Sequence, residues 1–142
     1  MNSRTLLLSI RPKYAELFFS GRKKAELRRI KPRIKEGDLV LIYVTSPVKA
    51  LMGAFNVKQV LQGKPKELWR EVNVSAGISR KEFDSYYLGA PQGFAILSSQ
   101  VWRLKRPIKL ASLKHRWARF SPPQSYLYVT LRNKKRFMCT PV

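Results

Sequence analysis

The chain has 142 residues, of which 44% are hydrophobic, so it can bury a core as one domain and is not a disordered segment. It carries 29 lysines and arginines against 8 aspartates and glutamates, which gives a formal net charge of +21. A charge of this size opposes compaction, and a polyanion such as a nucleic acid relieves the repulsion. A basic soluble protein without a specific partner is the alternative.

Cysteine usage and apolar runs indicate the compartment. The single cysteine, Cys139, has no partner for an internal disulfide, so nothing points to an oxidising environment. The longest apolar run, 39–44, is far shorter than the roughly 20 residues of a membrane-spanning helix. The leucines at 6–8 are followed too soon by Ser9 and Arg11 for a signal peptide. We therefore expect a cytoplasmic protein that has no membrane partner.

Apolar periodicity and turn residues predict the elements in chain order. Pro12 suits the first turn of a helix, and Ser79 followed by Glu82 predicts a capping box. Gly53 indicates a bulge or a close approach of two backbones. The predicted elements are a strand at 5–10, a helix over 14–18, strands at 24–29, 39–45 and 50–61, helices at 66–72 and 79–88, a strand at 93–102, a helical turn at 111–119 and a strand at 126–131.

Strands outnumber helices in this order, and the links between them are short. No repeat or shift of composition marks a domain boundary. The pattern therefore favours an α+β fold with a single curved or barrel-like sheet and helices packed at its side. We expect one domain over residues 1–131, followed by a mobile basic tail at 132–142.

The charges are distributed unevenly along the chain. All 8 acidic residues lie between Glu16 and Asp84, whereas basic residues continue to Arg136. Aromatic residues interleave with the later basic ones, and exposed rings can stack on unpaired bases while cations track phosphates. Arg116, Trp117 and Arg119 make residues 114–120 the local candidate for a single-strand contact. Core packing is the alternative role for these rings.

Six short segments form a recognisable set: SIRPKYA at 9–15, SGRKKAELRR at 20–29, GD at 37–38, YVTSP at 43–47, GIS at 77–79 and PPQSY at 122–126. Together they resemble the ASCH domain family of the PUA-like superfold, in its small stand-alone prokaryotic form. The likeness covers about 6–129. It implies a β-barrel of about five or six strands flanked by helices, a cleft lined from the 20–29 segment, and RNA binding with a role in translation or transcription control.

Some members of this family are enzymes, including ribonucleases and an amidohydrolase that acts on N4-acetylcytidine with a Lys, a Thr and a Glu. In this chain the Lys falls on Lys23, the Thr falls on Glu26 and the Glu falls near Ala76. A carboxylate does not replace a hydroxyl nucleophile, so the resemblance favours a binding module over a deacetylase. The enzymatic alternative is an RNA-directed hydrolase, either amidohydrolase-like or, for example, a ribonuclease with Glu26 as base and Lys23 stabilising charge.

The alternating face of Lys24, Glu26 and Arg28, beside Lys23, is the candidate wall of the cleft. Glu26 can accept hydrogen bonds from an exocyclic amine of a base, or it can be a structural ion-pair partner. Tyr43 and Ser46 at a strand end can complete the pocket, although Ser46-Pro47 also fits a simple turn. The expected nucleic-acid-binding residues are Arg11, Arg22, Lys23, Lys24, Glu26, Arg28, Arg29, Tyr43, Ser46, Lys49, Arg116, Trp117, Arg119, Gln124 and Ser125.

Three functions remain open on these grounds. The leading hypothesis is an RNA-binding module, for single-stranded or structured RNA. The others are an RNA-directed hydrolase and a DNA-binding regulator, although the helical pair at 66–88 carries both charge signs and lacks a basic recognition face. The lone His115 and the absence of a Gly-rich phosphate loop give no reason to expect a metal or a cofactor. The sequence does not identify protein partners.

Overall fold

The computed structural model describes residues 4–138, so Cys139 lies outside the described part. Six strands and five helices are assigned within these residues. In chain order they are β1 (Thr5–Ile10), α1 (Pro12–Phe19), β2 (Ala25–Arg28), β3 (Leu39–Val44), β4 (Ala50–Gly63), α2 (Pro65–Val72), α3 (Arg80–Tyr86), β5 (Gly93–Lys109), α4 (Leu110–Arg116), β6 (Tyr126–Val129) and α5 (Leu131–Met138).

The strands form one sheet in the order β2-β5-β4-β3-β1-β6. β1 pairs with β3 in parallel, and all other neighbours in this sheet are antiparallel. The pairing of β4 with β5 shifts register between Leu51 and Gly53, between Asn56 and Val57, and again between Val57 and Gln59. Such bulges bend a strand and increase its twist, so the sheet curls into a half-barrel. The expected α+β, PUA-like architecture is confirmed.

Gly53 lies at the first of these register shifts, where the backbone of β4 comes close to Phe19 of α1 and to Trp102 of β5. A Cβ atom at this position would collide with the Phe19 ring and the Trp102 carbonyl oxygen. The prediction of a bulge with a close approach is therefore confirmed, and the sequence uses glycine here because no side chain fits.

Alternation along β1 divides the core between the two faces of the sheet. Leu6 and Leu8 pack in a cluster with Phe18 of α1, whereas Leu7 faces the opposite side and packs with Tyr43. A third cluster lies under α2 and α3, where Phe83 is fully buried. The turn before α3 is thereby held near β2, because Ala76 packs in the same cluster as Ala25 and Leu27.

Two elements differ from the predictions. β5 continues past 102 to Lys109, because Arg103 and Lys109 still pair with Gly53 and Ala50 of β4. The segment expected as the start of a mobile basic tail forms helix α5 from Leu131 to Met138, and the Asn133 amide donates to Oγ1 of Thr130 at its first turn.

Candidate functional site

A cleft of about 340 Å³ opens where the end of β1 and the start of α1 approach β2 and α3. Its polar lining holds both signs of charge. The charged and phenolic side chains on the wall are Arg11, Tyr14, Lys23, Glu26, Arg28, Glu82 and Tyr86, and the apolar part includes Ile10, Leu27 and Ile78. The cleft is where the 20–29 segment was expected to form a concave site.

Lys23 lies at the buried end of this cleft, with only 3% of its surface exposed. Its Nζ donates a hydrogen bond to the carbonyl of Ala76 and lies 5.6 Å from the ring centroid of Tyr14. Burial lowers the pKa of Lys23; the nearby Glu26 carboxylate opposes this effect and Arg28 adds to it. A larger fraction of such a lysine is neutral at a given pH than of an exposed one, and only the neutral amine can accept a proton.

Gly77 explains how the chain presents this carbonyl to Lys23. Its φ is +70°, and a Cβ atom here would lie 3.0 Å from Cβ of Lys23. A glycine therefore allows both the left-handed turn and the close contact. The GIS segment at 77–79 thus forms the wall behind the buried lysine.

Glu26 and Arg28 lie side by side on one face of β2, with Oε2 of Glu26 at 3.8 Å from Nη2 of Arg28. This distance exceeds that of a hydrogen bond, so Glu26 keeps acceptor capacity. Nη1 of Arg28 donates to Oγ of Ser125, and the guanidinium lies 5.6 Å from the ring centroid of Tyr126. Nε of Arg28 is buried and has no hydrogen-bond partner within residues 4–138. A buried donor without a partner is costly in a folded protein.

Glu82 brings a second carboxylate to the cleft. Tyr14 donates from its hydroxyl to Oε2 of Glu82 at 3.2 Å, which links α1 to α3. Glu82 also accepts from the Ser79 amide and donates its own amide to Oγ of Ser79, so the expected capping box is confirmed. The bonds from Ser79 lower the pKa of Glu82, and its carboxylate is therefore ionised near neutral pH.

Tyr14, Glu82 and Tyr86 line the cleft but are not among the site residues predicted from the sequence. The capping pattern accounts for Glu82 without any further role, so it does not indicate that the carboxylate also lines the cleft. Tyr14 belongs to the segment at 9–15 that carries the family likeness, and this was the available signal.

The structure places the selected residues in different regions. Arg11, Lys23, Glu26 and Arg28 line the cleft, and Ser125 adjoins it through Arg28. Lys24 precedes β2, has an exposed side chain and does not line the cleft, so Glu26 and Arg28 are the members of the predicted alternating face that form the cleft wall. The remaining exposed residues of the set are not part of the cleft lining: Arg22, Arg29, Ser46, Lys49 and Gln124.

Tyr43 does not complete the pocket, contrary to the prediction. Its side chain is 2% exposed and packs against Phe120 at 6.3 Å between ring centroids, in the cluster on the other face of the sheet. The two-residue alternation of β3 explains this, since Tyr43 shares its face with Leu41 while Ile42 and Val44 face the α1 side.

The 114–120 segment lies around the end of α4, outside the cleft lining. Trp117 is half-buried with its ring 5.5 Å from that of Phe120, and Phe120 is a core residue. Arg119 is exposed and Arg116 is partly buried. The ring of Trp117 therefore has a packing role.

No helix in the described part of the chain is long and apolar enough to cross a membrane. No group of His, Cys, Asp and Glu side chains within residues 4–138 is placed to hold a metal ion.

Comparison with known proteins adds relatives of this chain. An ASCH domain-containing ribonuclease of Zymomonas mobilis is 32% identical over 123 residues, which cover 87% of this chain and 82% of the relative. The crystal structure of ASCH from Zymomonas mobilis matches with a TM-score of 0.88 at 29% identity and covers 94% of this chain and 92% of that one.

A ribosomal relative is much longer than the matched region. The large ribosomal subunit protein uL22 of Ureaplasma parvum is 32% identical over 107 residues, 75% of this chain but 34% of the relative. The chain thus spans about a third of the length of that protein. The model of the ASCH domain matches residues 8–98, and this match together with the Zymomonas relatives shows that the chain belongs to the ASCH domain family.

Proposed function

We propose that the chain binds single-stranded RNA and holds one nucleotide in the cleft between α1, β2 and α3. The observation that carries this proposal is the Glu26–Arg28 pair on the cleft wall, whose 3.8 Å separation leaves Glu26 with acceptor capacity beside a cation. A volume of about 340 Å³ lies at the small end of the range for ligand pockets, which suits one nucleotide. The ribonuclease name of the Zymomonas relative supports RNA as the ligand class.

The arrangement of charges suggests a role for each side chain. Glu26 retains acceptor capacity and would take hydrogen bonds from an exocyclic amine of the base. Arg11 is exposed on the cleft wall and would contact a phosphate, which adds affinity without reading sequence. Tyr14 and Ile78 supply apolar surface against which the base would pack. The net charge of +21 would attract the RNA over a longer range.

Fluorescence anisotropy with labelled single-stranded RNA tests the proposal. Four homopolymers are titrated against the wild type, Glu26→Gln and the control Glu71→Gln, an exposed carboxylate of α2. Because glutamine offers both a donor and an acceptor, Glu26→Gln should change the order of preference among the bases, and Glu71→Gln should not. Equal profiles for all three proteins would remove the base-reading role of Glu26.

Competition experiments address the choice of nucleic acid. Unlabelled single-stranded RNA should displace the probe at lower concentrations than duplex DNA of equal phosphate content at the same salt. Stronger displacement by duplex DNA would favour the DNA-binding regulator instead.

Ribonuclease activity is a second candidate function. The name of the Zymomonas relative favours it, together with the lowered pKa of Lys23 beside Glu26. In this reaction the Glu26 carboxylate or the neutral Lys23 amine would take the proton of a 2′-hydroxyl, whose oxygen attacks the adjacent phosphorus to form a 2′,3′-cyclic phosphate. The displaced 5′-oxygen would take a proton from water and leave as a hydroxyl group. Arg11 and Arg28 would stabilise the added negative charge.

A turnover assay separates cleavage from binding alone. End-labelled RNA and the same strand with 2′-deoxy sugars are incubated with wild type, Lys23→Met and Glu26→Gln. An enzyme of this kind would cleave only the ribose strand, and both variants would be slower. An uncleaved ribose strand that still binds supports a binding module, whereas equal cleavage by all three proteins places the activity outside the cleft.

A further inference from the structure

A second hollow of about 550 Å³ lies beside the loop between β2 and β3. Its lining includes four cations, Arg4, Lys31, Arg33 and Lys35, and one carboxylate, Asp38. Asp38 is 2% exposed, and its two oxygens accept hydrogen bonds from the backbone amides of Arg4 and Lys35. The single negative charge is therefore turned inward to hold the loop, and the cationic side chains face the hollow.

Tyr128 fixes the other side of this loop. Its hydroxyl accepts a hydrogen bond of 2.7 Å from the Arg33 amide, and the Arg4 guanidinium lies 5.8 Å from its ring centroid. The Tyr128 side chain is nevertheless 40% exposed. The Arg33 side chain takes no part in the bond to Tyr128, so it remains available to a ligand at the rim.

A continuous row of side chains joins this hollow to the cleft. Arg28 lies over Tyr126 at 5.6 Å, the rings of Tyr126 and Tyr128 are 5.7 Å apart, and Arg4 lies over Tyr128. Tyr126 and Tyr128 are two residues apart on β6 and share one face of the strand. Two adjacent rings flanked by cations form a surface of the kind to which single-stranded nucleic acids bind by stacking and phosphate contacts.

We propose that the second hollow and the Tyr126–Tyr128 row are an extension of the cleft that binds the phosphates of the same RNA strand. The inference rests on the RNA binding proposed above and adds a direction to it. From the nucleotide in the cleft, the strand passes Tyr126 and Tyr128, where a base stacks on the exposed ring. Its next phosphates then lie among Lys31, Arg33 and Arg4.

Binding measurements with ligands of two lengths test this path. The double variant Lys31→Ala with Arg33→Ala is compared with a matched control, Lys66→Ala with Arg70→Ala, which removes the same charges from the exposed surface of α2. Affinity for a hexanucleotide and for a mononucleotide is measured over a range of salt concentrations. Circular dichroism melts establish that all proteins are folded.

The double variant should bind the hexanucleotide with a log–log salt slope smaller by about 1.4, since each lost phosphate contact removes roughly 0.7 for a single strand. Its mononucleotide affinity should match the wild type, and the control should change neither slope. Equal slopes for the double variant and the control, with the wild type still binding RNA, would overturn the extension but leave the cleft intact. A wild type that binds no RNA would overturn both proposals.

Substitutions of Tyr128 test the stacking step separately. Tyr128→Phe keeps the ring and should retain hexanucleotide affinity. Tyr128→Leu removes the ring and should weaken it between about fivefold and about 150-fold, the range for one stacked base. An equal loss in both variants would mean that the hydroxyl and its hold on the loop matter, and would remove the stacking role.

Discussion

Nζ of Lys23 donates a hydrogen bond to the carbonyl of Ala76, although the two residues are 53 positions apart in the chain. This bond crosses from the end of α1 to the turn before α3 and places an amino group deep in the cleft. Burial lowers the pKa of this group, and the effect on stability can be measured.

The free energy of unfolding should depend on alkaline pH through Lys23. Burial lowers its pKa in the folded protein, while the unfolded chain keeps the ordinary value of 10.5. Between these two values the unfolded chain binds more protons, so the wild type should become more stable relative to Lys23→Met as pH rises toward 10.5. Urea unfolding of both proteins at pH values from 7 upward measures this. A constant difference would show that the pKa of Lys23 is not lowered.

Gly77→Ala should lower the free energy of unfolding more than Gly89→Ala does. Both glycines have positive φ, +70° and +79°, so both variants carry the backbone cost of roughly 1 kcal/mol. Only at Gly77 does the new methyl group meet Lys23, whereas no atom lies within 4 Å at Gly89. Overpacking adds about 1–3 kcal/mol, which thermal or urea melts can resolve. Equal losses of unfolding free energy in the two variants would mean that the residues around Gly77 make room for the methyl group without cost.

Trp117→Ala should destabilise the fold by about 2 kcal/mol, below the roughly 3–5 kcal/mol of a fully buried aromatic residue. The reason is its half-buried contact with Phe120 in the core cluster. RNA affinity of the folded variant should equal that of the wild type. Arg119→Ala serves as the exposed comparison and should leave stability unchanged. A Trp117 variant of normal stability with weakened RNA binding would instead make its ring a stacking surface.

N4-acetylcytidine should not be deacetylated at a useful rate by the wild type. Glu26 occupies the position at which the amidohydrolase branch of the family is expected to carry a hydroxyl nucleophile, and a carboxylate does not supply that chemistry. Chromatography of the nucleoside after incubation detects the product. Robust deacetylation that disappears in Lys23→Met would contradict the binding-module interpretation.

Short-range patterns predicted most of the fold. The apolar run ending at Arg11-Pro12 fixed β1 at Thr5–Ile10, and the Ser79–Glu82 box fixed the start of α3. The sequence pattern does not predict the second half of β5, because residues 103–109 are mostly exposed and rich in cations. Their pairing with β4 is what makes them part of the strand. Helix α5 was missed because a polar basic segment is typical of a tail.

The candidate site was predicted in part. Lys23, Glu26 and Arg28 follow from one segment, so the local pattern was enough to select them. Tyr43 was misplaced because proximity at a strand end does not decide which face a side chain takes. Glu82 joins the cleft only through the packing of α3 near α1, which no short-range pattern contains.

β2 and β6 are the two outer strands of the sheet, and each has only four residues. Long, flat outer strands invite pairing between molecules, and short or charged ones discourage it. β2 carries Glu26 and Arg28, and Arg28 reaches across to Ser125 beside β6. Repulsion from a net charge of +21 keeps free molecules apart but fades once a polyanion neutralises it. In the proposed RNA complex the short outer strands would then protect the neutralised protein from edge-to-edge aggregation.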